Sequence, residues 1–190
     1  MRQTSAQIDH AILDVAAGIF ATHGFAHTSV QQIADAVGYS KPGLLHRFGS
    51  KEALHRAVLA EVAETVEEVV ALATAHHHED AQLRLVLELV TRRALERPGM
   101  VQMMLKSFDP MSQEPGIEKI QHSGYRLIDS LDAPLNGPLE RLRVALGLEL
   151  IVNAAMTQHS SVDVDMHVPV DELVPTLVSL ACHVVAAPVS

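Results

Sequence analysis

GFAHTSVQQIADAVGYSKPGLLHRFGSKEAL, residues 24–54, holds two short helix signals and the start of a third. Val30, Ile33, Ala34 and Val37 follow the spacing of one buried helix face. Thr28 with Gln31 offers a capping box before them, and Gly38 can take the left-handed stop behind them. Ser40 then caps a second segment ending at Phe48. Pro42 is tolerated there because it falls in the first turn, where a missing N–H breaks no helical bond. Only Gly38-Tyr39 separates the two segments, which predicts a helix-turn-helix. Spacing alone is a weak signal, since helical hairpins recur throughout all-α proteins.

Outward from this unit the helical period continues. Ile8, Ala11, Ile12, Val15 and Ile19 mark a helix that begins at a Thr4/Gln7 capping box and ends near Gly24. Ser50 caps a long run with Leu54, Val58, Val62, Val66, Val69 and Ala73 as its stripe, ending around His76. Further helices are expected near 80–96, 99–108, 116–131, 138–159 and 171–186, with prolines at or near the breaks. Alternation resembling a strand occurs only in 162–168, where Asp and Pro favour a loop. The predicted class is all-α. A helix-turn-helix domain over 1–52, with helix 50–76 as connector, is expected to precede a larger helical domain over 53–190, for which pairing and effector binding are weighed below.

The 190 residues carry 14 Lys+Arg against 23 Asp+Glu, a net charge of −9, which argues against a nucleic-acid partner when read globally. The charge is uneven. Residues 1–59 sum to +1, with five histidines besides, and the remainder sums to −10. Phosphates are therefore expected to meet the N-terminal end. One cysteine, Cys182, excludes an internal disulfide and suits a reducing cytoplasm. No apolar signal core and no uninterrupted membrane span is found, so a cytoplasmic protein without a membrane partner is expected.

The same stretch closely resembles the N-terminal domain of TetR-family (tetracycline-repressor-like) regulators. The resemblance rests on Gly24-Phe25 after the first helix, Thr28-Ser29 opening the second, and Ile33-Ala34 within it. It continues with Ser40 starting the recognition helix, Phe48 ending it, and Ser50-Lys51-Glu52 opening the fourth. It covers about the first third of the chain. It implies that Thr28 and Ser29 offer hydroxyls and helix-start N–H groups to phosphates, and that Lys51 clamps another. Ser40, Lys41, Pro42 and Gly43 would face base edges or the sugar-phosphate wall. Lys41 would donate to guanine and Pro42 would touch a thymine methyl, with His46 one turn beyond in the same groove. Where the family usually has a phosphate-contacting Tyr, this chain has Leu45, so affinity is lower or His46 or Arg47 replaces the contact.

Other candidates are weighed against plainer readings. His76-His77-His78 cannot converge on one ion, because consecutive helical residues point about 100° apart, so no metal and no cofactor are expected. Cys182 lies in an apolar run and reads as a packing thiol. Glu88 is flanked by Arg84 and Arg92 at four-residue spacing, an exposed ion-pair stripe. Phe20, Phe25, Leu44 and Phe48 read as core. No Ser/His/Asp, paired-carboxylate or glycine-rich phosphate pattern stands out, so an enzyme is not expected.

Helices 138–159 and 171–186 are apolar on more than one face, which asks for cover from both sides. A homodimer through Leu142, Leu146, Leu150, Leu173, Leu177, Leu180 and Val184 would supply it and present two recognition helices to a palindromic double-stranded DNA operator. Met100, Met103, Met104, Phe108 and Met111 form a methionine-rich cluster that is either adaptable core or the wall of an effector cavity. His122, Tyr125 and Asn153 are its candidate polar anchors, while Glu149 and Asn153 divide between interface and pocket. With no Trp and aromatics at 3%, an apolar or amphipathic small-molecule effector is expected rather than a cation. The leading expectation is a dimeric repressor released by that effector, with helix 50–76 as the lever. The alternatives are a DNA-binding regulator without a small-molecule effector, which a closed body would favour, and a helical interaction module or enzyme that binds no DNA.

Overall fold

In a computed structural model, residues 4–77, 81–106, 112, 114–131, 137–159 and 167–186 are described. Among these every regular element is helical: α1 (Ser5–His23), α2 (Val30–Ala36), α3 (Lys41–Phe48), α4 (Lys51–Ala75), α5 (Gln82–Glu96), α6 (Pro98–Leu105), α7 (Glu118–Ser130), α8 (Pro138–His159) and α9 (Val170–Ala186). The all-α expectation is met. Phe108, Met111, His78 and most of the 162–168 stretch lie outside the described residues.

Local chemistry fixes the N-terminal helices. At α1, the Thr4 hydroxyl accepts the Gln7 N–H while the Gln7 side chain accepts the Thr4 N–H, the expected box. At α2 the box is shifted by one residue from the Thr28/Gln31 reading: Ser29 and Gln32 form it, at 3.2 and 2.8 Å. Both pairs have the same spacing, and burial chooses between them. Thr28 is 3% exposed and donates its hydroxyl inward to the Gly24 carbonyl at 2.8 Å. Ser40 caps α3 by accepting the Gly43 N–H at 3.1 Å, and Ser50 caps α4 by accepting that of Ala53. Between them Gly49, at φ +83°, makes the left-handed step that stops α3.

The head packs around Phe20, Ile33, Ala34, Leu44 and Leu54, all at most 1% exposed. The long α4 then runs on into the body, its buried stripe Val58, Val62, Val66, Val69 and Ala73 facing α7 on one side and α5 and α6 on the other. The body's α5 packs on α8 and α9, and α8 packs along α9. Head and body also meet along α1 and α6. There Asp14 Oδ1 accepts the Met100 N–H at 2.9 Å, so a carboxylate from α1 caps an α6 whose own N-cap, Arg97, makes no capping bond. The backbones nearly touch where Gly18 faces Gly99. No helix among the described residues is long and apolar enough to cross a membrane.

Candidate nucleic-acid interface

The front of α3 stands clear of the protein. Ser40, Lys41 and Pro42 are exposed, and His46 is exposed one turn further on. Gly43 is half-buried; a Cβ there would approach the capping Ser40 hydroxyl to 3.1 Å and meet the Tyr39 ring in ordinary contact at 3.8 Å. Leu44 is buried and Leu45 half-buried, which fixes the opposite face of α3 on the core. Ser29 is exposed at the start of α2. Its capping box uses the N–H groups of Ser29 and Gln32. Those of Val30 and Gln31 lie in the first turn, where the helix itself provides no acceptor.

The remaining cations of the motif are engaged by the protein. Arg47 Nη2 donates to the Ser5 carbonyl at 2.8 Å and to its hydroxyl at 2.9 Å, while its Nε pairs with Asp9. That pairing raises the guanidinium further above its ordinary range. Arg47 therefore ties α3 to the start of α1. Lys51 is half-buried. Its Nζ donates to the carbonyls of Phe25 and Thr28, at 2.9 Å each, and lies 4.1 Å over the Phe25 ring. The lysine that the motif suggests for a phosphate thus closes the α1–α2 turn, and Thr28 has its hydroxyl turned inward. Sequence gives no sign of the Lys51 contacts, because their acceptors lie 26 and 23 residues away. Tyr39, half-buried beside Gly43, is a phenol at the α2–α3 turn that the reading of Leu45 passed over.

In the body, Met100, Met103 and Met104 are buried, at 2% exposure or less. His122, Tyr125 and Asn153 are exposed. An apolar cavity of about 20 Å³ lies instead among Leu83, Val86, Leu87, Val90, Met104 and Leu148, with Leu127, Leu131, Val144 and Val185 also lining it. Of the expected pocket residues that lie among the described residues, Met104 alone borders it. Glu149 and Asn153 line a separate open cleft of about 410 Å³ with Gln102 and Lys106.

Of the residues assigned to pairing, Leu142, Leu146 and Leu180 are 53%, 47% and 49% exposed, and Leu150 and Val184 are half-buried. Leu173 and Leu177 are buried within the protomer. The outward stripe of α8 is longer than the sequence suggested. Leu139, Leu142, Leu146, Glu149, Asn153 and Met156, all exposed, recur at alternating three- and four-residue steps along one face. Elsewhere, Glu88 pairs with Arg92 at 2.7 Å, as its spacing implies. Cys182 is half-buried, and burial pushes its thiol pKa up.

Residues 12–58 match the family model described as bacterial regulatory proteins, tetR family. The HTH-type transcriptional regulator RutR of Escherichia coli (strain K12) is 48% identical over 52 residues, which are 27% of this chain and 24% of RutR. The HTH-type transcriptional repressor AcnR of Corynebacterium efficiens is 41% identical over 61 residues, 30% of this chain and 32% of AcnR. The chain thus spans between a quarter and a third of the length of these relatives. Fold similarity reaches much further. A TetR-like transcriptional regulator from Rhodococcus sp. RHA1 superposes with a TM-score of 0.58 at 22% identity, covering 98% of this chain and 100% of that one. A TetR-family regulator from Bordetella parapertussis 12822 gives 0.59 at 22%, covering 92% and 93%. Residues 12–58 are thus similar in sequence to the helix-turn-helix domain of the tetR family of bacterial regulatory proteins, and the likeness in fold extends across the body as well.

Proposed function

We propose that the chain is a DNA-binding transcriptional regulator that works as a cytoplasmic homodimer and represses from a palindromic operator. The observation that carries this reading is the outward front of α3. Ser40, Lys41, Pro42 and His46 are exposed there, while Arg47 and Lys51 are spent on holding the head together. A rigid helix front bearing one uncommitted cation and small side chains suits entry into a major groove. The first turn of α2, with the exposed Ser29 and its forward N–H groups, suits a phosphate. We place the DNA-binding domain at 1–52 and the pairing domain at 53–190. The exposed stripe of α8 is the surface that a second copy would cover. The test is electrophoretic mobility shift on duplex fragments, including the chain's own promoter region. Salt-sensitive binding is expected; no binding to any duplex would refute the reading. Ser29→Ala should weaken binding to all duplexes alike, and Lys41→Ala should change which duplex is preferred.

The small size of the apolar cavity beside Met104, which is separate from the open cleft at Glu149 and Asn153, supports a second reading of what controls the body. A cavity of about 20 Å³ holds about one water-sized sphere, whereas sites for organic ligands run to roughly 300–1,000 Å³. The cavity wall is aliphatic apart from Met104, so an occupant would be apolar and would have to part α5 from α8. Control by a protein partner or by abundance needs no such opening. Thermal melts with a panel of apolar and amphipathic compounds separate the two: a saturable rise in melting temperature favours the small-molecule effector.

A further inference from the structure

The turn leading from α1 into α2 is held from two elements, and only α4 belongs to the head. From α4, Lys51 Nζ reaches the Phe25 and Thr28 carbonyls. His55, one turn on and 3% exposed, sets its ring edge-on to Phe20 at 4.8 Å and against Phe25 at 4.7 Å. From the body comes Glu114, in the connector between α6 and α7. It is 8% exposed, accepts the Phe25 N–H with Oε1 at 2.9 Å, and brings Oε2 to 3.3 Å from His55 Nε2.

Glu114 is itself firmly placed. Its carbonyl accepts the Ile117 N–H at 3.2 Å, and Ile117 is buried. Gly116, at φ +82°, turns the connector against α4, where a Cβ would meet Leu59 at 3.1 Å. Gly24, at φ +79°, leaves just enough room for the carboxylate: a Cβ there would stand 3.3 Å from Oε1. A carboxylate buried this far needs partners. Burial disfavours the charged form of His55, so the Phe25 N–H, whose presence does not depend on titration, is its constant partner.

We infer that Glu114 is a positioning residue through which the body sets the α1–α2 turn, and with it the attitude of the helix-turn-helix. This rests on the regulator reading for its meaning but not for its geometry. The contact spans 89 residues of sequence. Together with the Asp14–Met100 bond it makes α6 and its connector, and not α4 alone, the link between body and head. Anything that displaces the connector withdraws the acceptor from Phe25 and frees the turn.

The test is hydrogen exchange on the full-length chain without DNA, read by mass spectrometry. Glu114→Ala should speed exchange over residues 25–36 by about tenfold or more, from loss of a charge-assisted bond, and leave α5 unchanged. Glu114→Gln keeps an acceptor at the same reach and should stay near wild type. Glu114→Asp is one methylene short and should behave like the alanine variant, which covers the case of Glu114→Ala failing to fold. Exchange within about twofold of wild type over 25–36 in both shortened variants, or equal acceleration in α5, overturns the inference. The second arm measures affinity for a duplex selected by the wild-type chain from a random pool. A loosened head in a chain whose wild type selects no duplex refutes the regulator reading and leaves the positioning role standing. Unchanged exchange in a chain that does select one refutes the positioning role alone.

Discussion

Replacing Leu142 and Leu146 together by alanine should dissociate the proposed dimer. Each side chain is about half exposed in the single protomer, at 53% and 47%. Fully burying a leucine stabilises by about 1.5–3 kcal/mol, so covering the exposed half contributes about 1 kcal/mol. In a two-fold dimer each substitution occurs twice, so four half-leucines are lost. The expected cost is about 4 kcal/mol of association free energy, roughly a thousandfold in the dissociation constant. Sedimentation velocity across a dilution series reads this directly. Tyr125→Ala, which removes an exposed aromatic ring on α7 away from the stripe, serves as the control and should leave the constant unchanged. The reasoning fails if the double variant shifts the constant less than about threefold, since the stripe would then carry almost none of the association energy. It also fails if the wild-type chain is monomeric at micromolar concentration. Loss of pairing should in turn abolish tight binding to a palindrome while sparing weak binding to a half-site.

Two further outcomes follow from packing and from charge. Gly99→Ala would drive a methyl into the Asp14 carbonyl and to 2.9 Å from the Gly18 nitrogen, forcing α1 and α6 apart. A loss of about 3 kcal/mol or more in urea unfolding is expected. Gly18→Ala, with its nearest contact at 3.5 Å, should be neutral or stabilising by up to about 1 kcal/mol. Equal effects from the two would contradict the crossing geometry. For His55, burial lowers the pKa from its ordinary 6.5, against the pull of Glu114 and with a smaller push from Lys51. The unfolded chain therefore binds the proton more readily. The stabilisation is fully present above pH 6.5 and declines as pH falls toward the folded-state value, by at most about 1.4 kcal/mol per pH unit. Urea midpoints between pH 7.5 and 5.5 should fall more steeply in wild type than in His55→Gln; parallel lines would refute this.

How far the sequence reached depended on the range of the forces involved. The Thr4, Ser40 and Ser50 caps and the buried stripe of α4 are set by groups three or four residues apart, so they can be read directly from letters. Even there, two overlapping capping signals at 28–32 could not be separated without knowing that Thr28 is buried. The outward front of α3 was equally legible, because Leu44 fixes which face is inside.

What tertiary structure decided lies across distances that composition does not encode. Lys51 and Arg47 read as free cations until the carbonyls of Phe25 and Thr28 and the Ser5–Asp9 segment come within reach. Helices α8 and α9 read as apolar all round. Only packing shows that Leu173 and Leu177 face inward while Leu139, Leu142, Leu146 and Met156 face out. The methionines looked like a cavity wall, yet flexible thioethers also fill gaps: Met100 and Met103 are buried away from the small cavity that Met104 borders. Glu114 gave no signal at all, because a carboxylate becomes a support only when the fold brings a buried N–H from 89 residues away to meet it. The sequence alone determined a helix-turn-helix head on an acidic helical body. The fold decided which of its charges are available and how body and head are joined.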